Sequence, residues 1–411
     1  MDAHFYKADI PQICLVSQQT LPVFMGACLF PTTKTTSVHL LVTDEMKDRG
    51  DVLQSLLERR GVVVFQHWLA DTGGAAVVAA MEKIYESMSS NEDFRGVGIN
   101  VTCGTKLMAF AALLWATQRH KRADCYPYYV DTQKETIHFL IGDEFPSKAF
   151  EKNLKVDDIL EANGFFIRNR EALRPAIPVE KRRALRKLLG KSLADPETLG
   201  GVNKHLRDAQ GQSTLDIMQV EKPFFDLFVQ AGYADYDQNQ PLRVLFRSEE
   251  SRKRCNGTWI EEYVHAVLLR MFENGEIDDW CSDFYFYRNE MDEKNEGIVK
   301  GYQLKDVKNE FDASFTARNR LFIIECKTST MKEEKVEGME KQQQSENTKP
   351  TNISYKLDSL SSSGGVFTKG ILVSANNLSE GEKKRFGANG QTVICGHDVL
   401  QLREKLLEII R

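Results

Sequence analysis

The sequence lacks the features that mark zinc-binding, secreted or membrane-spanning proteins. Its eight cysteines include no C-x-x-C pair and no cysteine–histidine cluster at zinc spacing. No apolar run approaches the roughly 20 residues that a bilayer-spanning helix needs. The first dozen residues contain no basic stretch followed by an apolar one, as a secretion signal would. We therefore expect a cytoplasmic protein with reduced thiols.

A strong charge of one sign is also absent. The formal net charge is −5, which is no global signature of nucleic-acid binding, so any such surface has to be local. Hydrophobic residues make up 42% and charged residues 27%, as in ordinary globular proteins. A chain of 411 residues is too long for one ordinary core, and this length favours two or three domains.

Residues 1–150 alternate short β-rich runs with helical patterns. Strands that alternate with helices predict crossover units and a mostly parallel sheet covered on both faces. The last two runs are separated by a short polar turn and predict a hairpin at one edge of the sheet. The fold class is therefore α/β, beginning with a Rossmann-like domain. The predicted strands are 12–17, 38–43, 62–65, 97–102, 126–131 and 136–141, and the predicted helices are 45–60, 74–88 and 105–119.

Residues 151–246 have a different character and predict a small helical, winged-helix-like connector. Helical patterns cover 156–163, 179–190 and 215–230. Residues 166–209 carry 11 Lys/Arg against 5 Asp/Glu, a local basic excess. Two interpretations stay open: a solvated helix face within a connecting domain, or a module that contacts DNA or RNA.

Residues 247–411 predict a third, α/β domain. A helix is expected at 258–273, with strands near 283–288, 307–315 and 320–327 and further alternation to the end. The stretch "MKEEKVEGMEKQQQSENTKP" (331–350) has almost no apolar content and high charge, which predicts a flexible insertion.

The strand "RLFIIECK" ends in two opposite charges on one face. Side chains alternate along a strand, so Glu325 and Lys327 point the same way. Four apolar residues before Glu325 predict an interior strand, where an isolated carboxylate would be costly to bury. A structural ion pair between the two residues is the simplest explanation for such a motif on its own.

Two further acids favour a catalytic explanation. Asp312 is expected at the end of the preceding strand and Glu262 on the helix 258–273. A tight turn at "TARNR" would lay the two strands side by side and bring Asp312 to Glu325. Converging carboxylates repel one another and need a cation, and oxygen ligands suit Mg²⁺ or Mn²⁺. Lys327 could then orient the attacking water or stabilise charge on a phosphate in transit.

In order, the segments "GTWIEEYV", "NEFDASF", "RLFIIECKT" and "YKLDSL" resemble the PD-(D/E)xK nuclease superfamily. This resemblance begins near residue 250 and extends to the end of the chain. It implies that Glu262, Asp312 and Glu325 are metal ligands and that Lys327 is the catalytic lysine.

The sequence departs from that superfamily's pattern at two places. Phe311 stands where the name of the motif has proline, and the insertion 331–350 follows the E-x-K strand. The insertion leaves any substrate contacts made by loops unassigned.

Two polar turns in the first domain are candidates for a phosphate-binding pocket. One follows the predicted strand 97–102 and opens a helix, where amide donors and a lysine favour an anion. The other follows the first strand, and ligands of open parallel sheets bind beyond the carboxyl ends of the strands. An ordinary capped helix is the alternative, and the spacing is not that of a Walker A motif. The candidate residues are Ser17, Gln18, Gln19, Thr20, Thr102, Gly104, Thr105 and Lys106.

The turn "NVTCGTK" resembles the T-G-G-T-K turn of CARF domains, the CRISPR-associated Rossmann folds that sense cyclic oligoadenylates. Cys103 replaces the first glycine of that turn. A CARF domain followed by a PD-(D/E)xK domain resembles the ancillary nucleases of type III CRISPR immunity. This resemblance implies a homodimer, cyclic tetra-adenylate as activator, and metal-dependent cleavage of DNA, with RNA as a second candidate substrate.

Two other functions are compatible with these motifs. A non-enzymatic regulator would sense a nucleotide in the first domain and bind DNA through the basic connector, without a metal. A constitutive restriction-type nuclease would cleave regardless of any messenger.

Overall fold

A computed structural model describes most of the chain in two compact units. The first unit contains the described residues up to Phe166 together with Arg288, and the second contains Ile167–Tyr287 and the described residues from 307 onward. The described residues are 10–28, 35–120, 124–140, 147–150, 153–167, 174–288, 307–328, 350–365 and 368–411.

The first unit is built on a seven-stranded sheet with the order β3-β2-β1-β4-β5-β6-β7. The first five strands in chain order are parallel, and β6 and β7 continue the sheet antiparallel. This confirms the predicted Rossmann-like sheet and its terminal hairpin. The strands are β1 Ile10–Leu15, β2 Thr35–Thr43, β3 Val63–Leu69, β4 Val97–Asn100, β5 Cys125–Asp131, β6 Thr136–Phe139 and β7 Ser147–Ala149.

Helices cover the sheet, as the apolar strands require. The strand order reverses between β1 and β4, so the connections that leave the carboxyl ends of these two strands run in opposite directions along the sheet. A short helix directly after β1 was not predicted, because its buried, wholly apolar sequence has no amphipathic period. The helices are α1 Leu21–Cys28, α2 Lys47–Arg59, α3 Gly74–Ser89, α4 Lys106–His120 and α5 Val156–Ala162, and β8 Phe165–Ile167 follows them.

A mixed five-stranded sheet, ordered β12-β15-β16-β17-β18, is the centre of the second unit. Strands β12, β15 and β16 pair antiparallel, whereas β16, β17 and β18 pair parallel. Helices that alternate with these strands close the unit. The elements are α9 Glu249–Lys253, α10 Trp259–Glu273, β12 Asp279–Cys281, β13 Phe284–Arg288, β14 Val307–Phe311, β15 Ala313–Ala317, β16 Arg320–Lys327, α11 Pro350–Ser362, β17 Lys369–Ser374, α12 Glu380–Ala388, β18 Thr392–Cys395 and α13 Leu402–Ile410.

The predicted strand 307–315 is two strands. β14 pairs with β13, and after one residue, Asp312, β15 joins the central sheet. The tight connection between β15 and β16 is as predicted: Arg318 and Asn319 have φ of 52° and 53°, the left-handed backbone of a two-residue hairpin turn.

The predicted connector packs largely with the second unit. Its helices contribute Leu185, Leu188, Phe224 and Phe228 to one hydrophobic core with the α10 and β16 residues, because each helix has an apolar stripe to bury. The predicted helix 215–230 begins only at Lys222, since residues 214–216 form a strand. The elements are α6 Val179–Ala194, α7 Pro196–Asp208, β9 Thr214–Asp216, α8 Lys222–Gln230, β10 Ala234–Tyr236 and β11 Arg243–Phe246.

The insertion predicted at 331–350 lies outside the described residues, apart from Pro350. The domain boundaries at 150 and 246 stay predictions. Within the described part of the chain, no helix combines the length and the apolar character needed to cross a membrane.

We expect the stacked pair Phe315–Phe322 to be a main support of the second unit. The two rings face each other across β15 and β16 with centroids 4.6 Å apart and an angle of 3° between their planes, and both side chains are buried. Phe315→Ala should lower the free energy of unfolding by about 3–5 kcal/mol through a cavity, as measured by urea denaturation. Val220→Ala, at a residue 59% exposed, is the control and should change it by less than about 0.5 kcal/mol.

Candidate active site and ligand-binding edge

Glu325 is a buried carboxylate held by two lysines. It lies in the interior strand β16 and is 1% exposed. Lys327 Nζ donates to its Oε1 at 2.6 Å, and Lys356 Nζ on α11 donates to both of its oxygens at 2.8 Å. Every acceptor oxygen of this buried anion therefore has a charged donor, which offsets the cost of burial.

Asp312 joins this pair at the point where the chain leaves β14 for β15. Its Oδ2 accepts a hydrogen bond of 2.6 Å from the backbone N–H of Cys326, the residue between Glu325 and Lys327. The structure therefore brings together three of the four residues predicted for the active site: Asp312, Glu325 and Lys327.

The fourth predicted residue, Glu262, lies elsewhere. It accepts a hydrogen bond of 2.7 Å from the hydroxyl of Tyr233 and forms ion pairs of 2.5 Å with Lys181 and 3.0 Å with Arg254. These contacts direct its carboxylate toward the helices that precede β12 and do not include Asp312, Glu325 or Lys327.

The adjacent glutamate, Glu261, is the acid of α10 on which the charge of Asp312 acts. Burial and the nearby charges of Asp312 and Asp283 raise its pKa to about 9. One helical turn further, the buried His265 has a lowered pKa because of burial. Its Nε2 donates to the carbonyl oxygen of Asp312 at 2.7 Å, so His265 ties α10 to the backbone that carries Asp312.

The acids and the lysine shift one another's proton affinity. Burial and the negative charge of Glu325 raise the pKa of Asp312 to about 7. Burial would also raise the pKa of Glu325, but the ammonium groups of Lys327 and Lys356 outweigh it and hold this pKa below its usual range. Burial opposes the charge of Lys327, yet Glu325 and Asp312 hold its pKa above the ordinary value. Lys327 is therefore an ammonium ion at neutral pH.

A glycine allows α10 to approach the E-x-K strand. Gly257 precedes α10 with φ of 116°, and a Cβ atom at this position would meet the side chain of Thr328, one residue beyond Lys327. The left-handed backbone and the contact both require glycine. The "NGT" before the helix is therefore part of the packing that places Glu261 and His265.

The donor chemistry of this cluster fits a divalent cation. Asp312 and Glu261 carry raised pKa values partly because acidic charges lie close together, and a cation would offset that repulsion. In the present arrangement the lysines engage Glu325, and among the described residues no group of three or more His, Cys, Asp or Glu is placed to hold a metal ion. A metal at Glu325 would compete with both lysines for its oxygens.

Sequence reasoning missed two residues of the site, Glu261 and Lys356. Glu261 and Glu262 are adjacent, and only the rotation of α10 decides which one faces Asp312; the spacing to His265, four residues along, was the available signal. Lys356 is the one lysine in "YKLDSL" and lies beside Leu357 in the buried stripe of α11. Nothing in that pattern specifies a contact with Glu325.

In the first unit, the two predicted polar turns meet at one edge of the sheet. β1 and β4 are parallel neighbours, so the turns that follow them are adjacent. The Cys103 thiol donates to the carbonyl oxygen of Gln19 at 3.2 Å, which joins the turns directly. Burial raises the pKa of Cys103 to about 11, so this side chain is an uncharged thiol.

The eight predicted ligand residues differ in how available they are. Thr20 is buried and donates its hydroxyl to the Ala162 carbonyl oxygen, and Thr102 Oγ1 accepts from the Val130 N–H at 2.8 Å. Both hydroxyls therefore have structural roles. Ser17 is half-buried and its hydroxyl donates to the Gln19 carbonyl oxygen at 3.2 Å. The exposed members are Gln18, Gln19, Thr105 and Lys106.

Gly104 and Asn100 shape the turn between β4 and α4. Gly104 has φ of 84°, and an added Cβ would lie 3.1 Å from the Leu15 side chain. Asn100 is fully buried; its side chain accepts from the Thr102 N–H at 3.1 Å and donates to the Pro22 carbonyl oxygen at 3.3 Å. Asn100 therefore links the two turns, a role that its place inside an apolar strand did not reveal.

These features define a two-part protein, with a polar edge on a Rossmann-like sheet and an acid–lysine cluster on a second α/β unit. The family model for the Card1 CARF domain matches residues 12–158. The model for the Card1-like endonuclease domain matches residues 248–411. The chain therefore combines a Card1-type CARF domain with a Card1-like endonuclease domain. No curated protein matches it.

Solved structures share the fold along nearly the whole chain. Protein VC1899 from Vibrio cholerae superposes with a TM-score of 0.76 at 17% identity over 98% of both chains. Can2 from Sulfobacillus thermosulfidooxidans, in complex with cyclic tetra-adenylate, has a TM-score of 0.70 at 23% identity over 98% of this chain and 99% of its own. A type III CRISPR defence DNA nuclease activated by cyclic oligoadenylate has a TM-score of 0.54 at 16% identity, over 89% of this chain and 45% of that chain.

The raised pKa of Asp312 predicts a pH-dependent loss of stability. Its ordinary value is 3.8 and its value in the site is about 7. The unfolded chain therefore ionises first, and stability from this group is full below about pH 4 and is lost as the pH rises to about 7. In metal-free buffer, urea denaturation of Asp312→Asn should show a stability gain over the unmodified protein that grows across this range. Asp358→Asn, on the exposed side of α11, is the control, and a gain that does not change with pH would contradict the prediction.

Proposed function

We propose that this protein is a divalent-metal-dependent endonuclease that cyclic tetra-adenylate activates in type III CRISPR defence. The observation that carries the proposal is the convergence of Asp312, Glu325 and Lys327 in the unit that matches the endonuclease domain. The activator is inferred from the CARF match and from two similar structures, one bound to cyclic tetra-adenylate and one described as activated by cyclic oligoadenylate. DNA is the first candidate substrate and RNA the second.

In the proposed site, Asp312, Glu325 and Glu261 would hold Mn²⁺ or Mg²⁺. Glu261 replaces Glu262 in this assignment, because the charge of Asp312 acts on Glu261 whereas Glu262 is engaged by Tyr233 and two cations. The ion would supply Lewis-acid polarisation of the scissile phosphodiester. Lys327, which stays protonated, would donate hydrogen bonds to the negative charge that develops on the phosphate oxygens. His265 would position Asp312 through its carbonyl oxygen.

The proposed activator site is the edge formed by the turns after β1 and β4. Lys106 and Thr105 are exposed at the first turn of α4, where the amide groups and the helix dipole favour phosphate. Gln18 and Gln19 are exposed on the adjacent turn and offer amide groups to a nucleobase or ribose. Activation would be a population shift, which requires the activator to bind the cleavage-competent state more tightly.

We expect cleavage of supercoiled plasmid with Mn²⁺ only when cyclic tetra-adenylate is present. Glu325→Gln should reduce the rate by at least about 100-fold, since it removes a buried anion that both lysines and the metal require. The measurement is plasmid and single-stranded RNA cleavage followed on gels, with EDTA as the metal-free control.

The matched control is Glu262→Gln, which tests the assignment of the acids on α10. It should retain far more activity than Glu261→Gln. Cleavage without the activator would remove the sensor from the proposal and keep the nuclease. An active Glu325→Gln enzyme would refute the assigned site.

We also propose that the protein is a homodimer, and an exposed apolar face of α4 supports this. Leu107, Phe110 and Leu114 are 58%, 63% and 62% exposed and recur at helical spacing on one side. Between Lys106 and Gln118 the helix has no charged residue, as is typical of interface cores. The apolar face begins beside the proposed activator edge. In a symmetric dimer built on this face, one cyclic tetra-adenylate ring could therefore contact both copies of the protein.

Phe110→Glu should convert the dimer to a monomer, because it places a charge in the centre of the apolar face. Sedimentation velocity should show the mass fall by half while circular dichroism stays unchanged. The control is Phe272→Glu, at another exposed phenylalanine (42% exposed), which should leave the dimer intact. A dimer that persists in Phe110→Glu would place the interface elsewhere.

A further inference from the structure

Lys356 is a second lysine on the buried carboxylate of Glu325. Its ammonium lies 2.8 Å from each oxygen of Glu325, so it spans the carboxylate symmetrically. Lys327 contacts only Oε1. Neither the E-x-K motif nor the proposed roles of the acids requires a second lysine on this carboxylate.

The helix that carries Lys356 is fixed, whereas the end of the side chain is accessible. Ile353, Leu357 and Leu360 of α11 are buried, and Ser354 donates to Gln391 at 2.8 Å. The Lys356 side chain itself is 39% exposed, compared with 25% for Lys327. The backbone anchor is therefore rigid, and the long side chain can swing toward solvent without disturbing the core.

We propose that Lys356 is a positioning residue that competes with the divalent cation for Glu325 and, once displaced, contacts the substrate phosphate. A cation bound to Glu325 and the ammonium of Lys356 would repel each other across the same two carboxylate oxygens. In the metal-free protein Lys356 keeps Glu325 ionised and in place. After displacement its ammonium stays within one side-chain length of the site, where a phosphate is the available anion. This inference rests on the proposed metal site.

The metal competition is tested by Mn²⁺ titration of the full-length protein, with free Mn²⁺ measured by electron paramagnetic resonance. Lys356→Gln should bind Mn²⁺ about 5- to 10-fold more tightly than the unmodified protein, at the low end of typical coupling between two sites. Lys356→Arg keeps the charge and should bind as the unmodified protein does. Lys384→Gln, at an exposed lysine of α12, is the matched control for loss of a charge and should show no change.

The phosphate contact is tested by binding of a fluorescein-labelled DNA duplex in Ca²⁺ with cyclic tetra-adenylate. Loss of one phosphate contact in Lys356→Gln should reduce the slope of log affinity against log salt by about 0.9. An unchanged slope would overturn the phosphate contact.

The outcomes separate this inference from the function on which it rests. Mn²⁺ binding that is lost in Glu325→Gln but unchanged in Lys356→Gln would refute the competition and leave the nuclease site standing. If Glu325→Gln and the unmodified protein bind Mn²⁺ equally, the proposed metal site itself is refuted, and the role of Lys356 falls with it. Thermal melts of each variant exclude unfolding as the cause.

Discussion

The burial of one carboxylate constrains the whole second unit. Glu325 lies in the central strand of a sheet, and an anion there is tolerated only with charged donors at hydrogen-bond distance. Lys327 lies on the same strand as Glu325. Lys356 reaches Glu325 only when α11 packs on β16 and β17 at one position along these strands, and the buried side chains of Ile353 and Leu357 fix that position.

Asp312 is positioned from three directions. The chain leaves the β13–β14 pair at this residue, its carboxylate accepts from the Cys326 N–H, and its carbonyl oxygen accepts from His265. A change of sheet provides a one-residue gap in which a side chain can point away from both ladders. Burial, together with the nearby acidic charges, raises the pKa values of Asp312 and Glu261, a pattern typical of functional sites.

In the first unit, buried side chains that are polar but neutral form hydrogen bonds with one another and with the backbone. Gln12, fully buried in β1, accepts from the Tyr128 hydroxyl at 2.6 Å and donates to Thr35 at 2.8 Å. Asn100 joins the turns at the ends of β1 and β4. The Asn100 bonds tie the two turns together, and Lys106 and Thr105 stay exposed beside them. A preformed edge reduces the ordering cost of binding a small ligand.

The basic segment of the connector illustrates the limits of counting charges. Lys181 and Arg182 of α6 form ion pairs with Glu262 and Glu273, and Lys191 pairs with Asp195. These three charges are paired within the unit, which favours a structural role for that part of α6 over contact with a nucleic acid. Whether the basic side chains of a helix are paired depends on the residues packed against that helix, and these are distant in the sequence.

The sequence by itself determined the parallel strands of the first sheet and the E-x-K strand of the second. Alternation of period two placed Glu325 and Lys327 on one face, and apolar runs separated by helices predicted the parallel sheet. These are local properties, set by backbone geometry and by which residues must be buried. The tertiary structure alone decided that Glu261 and not Glu262 faces Asp312, that Lys356 reaches Glu325, and that the Thr20 and Thr102 hydroxyls form hydrogen bonds within the fold. These contacts depend on how each helix is rotated about its axis and on the register in which distant segments pack together. A change of one residue in that rotation or register would reverse them.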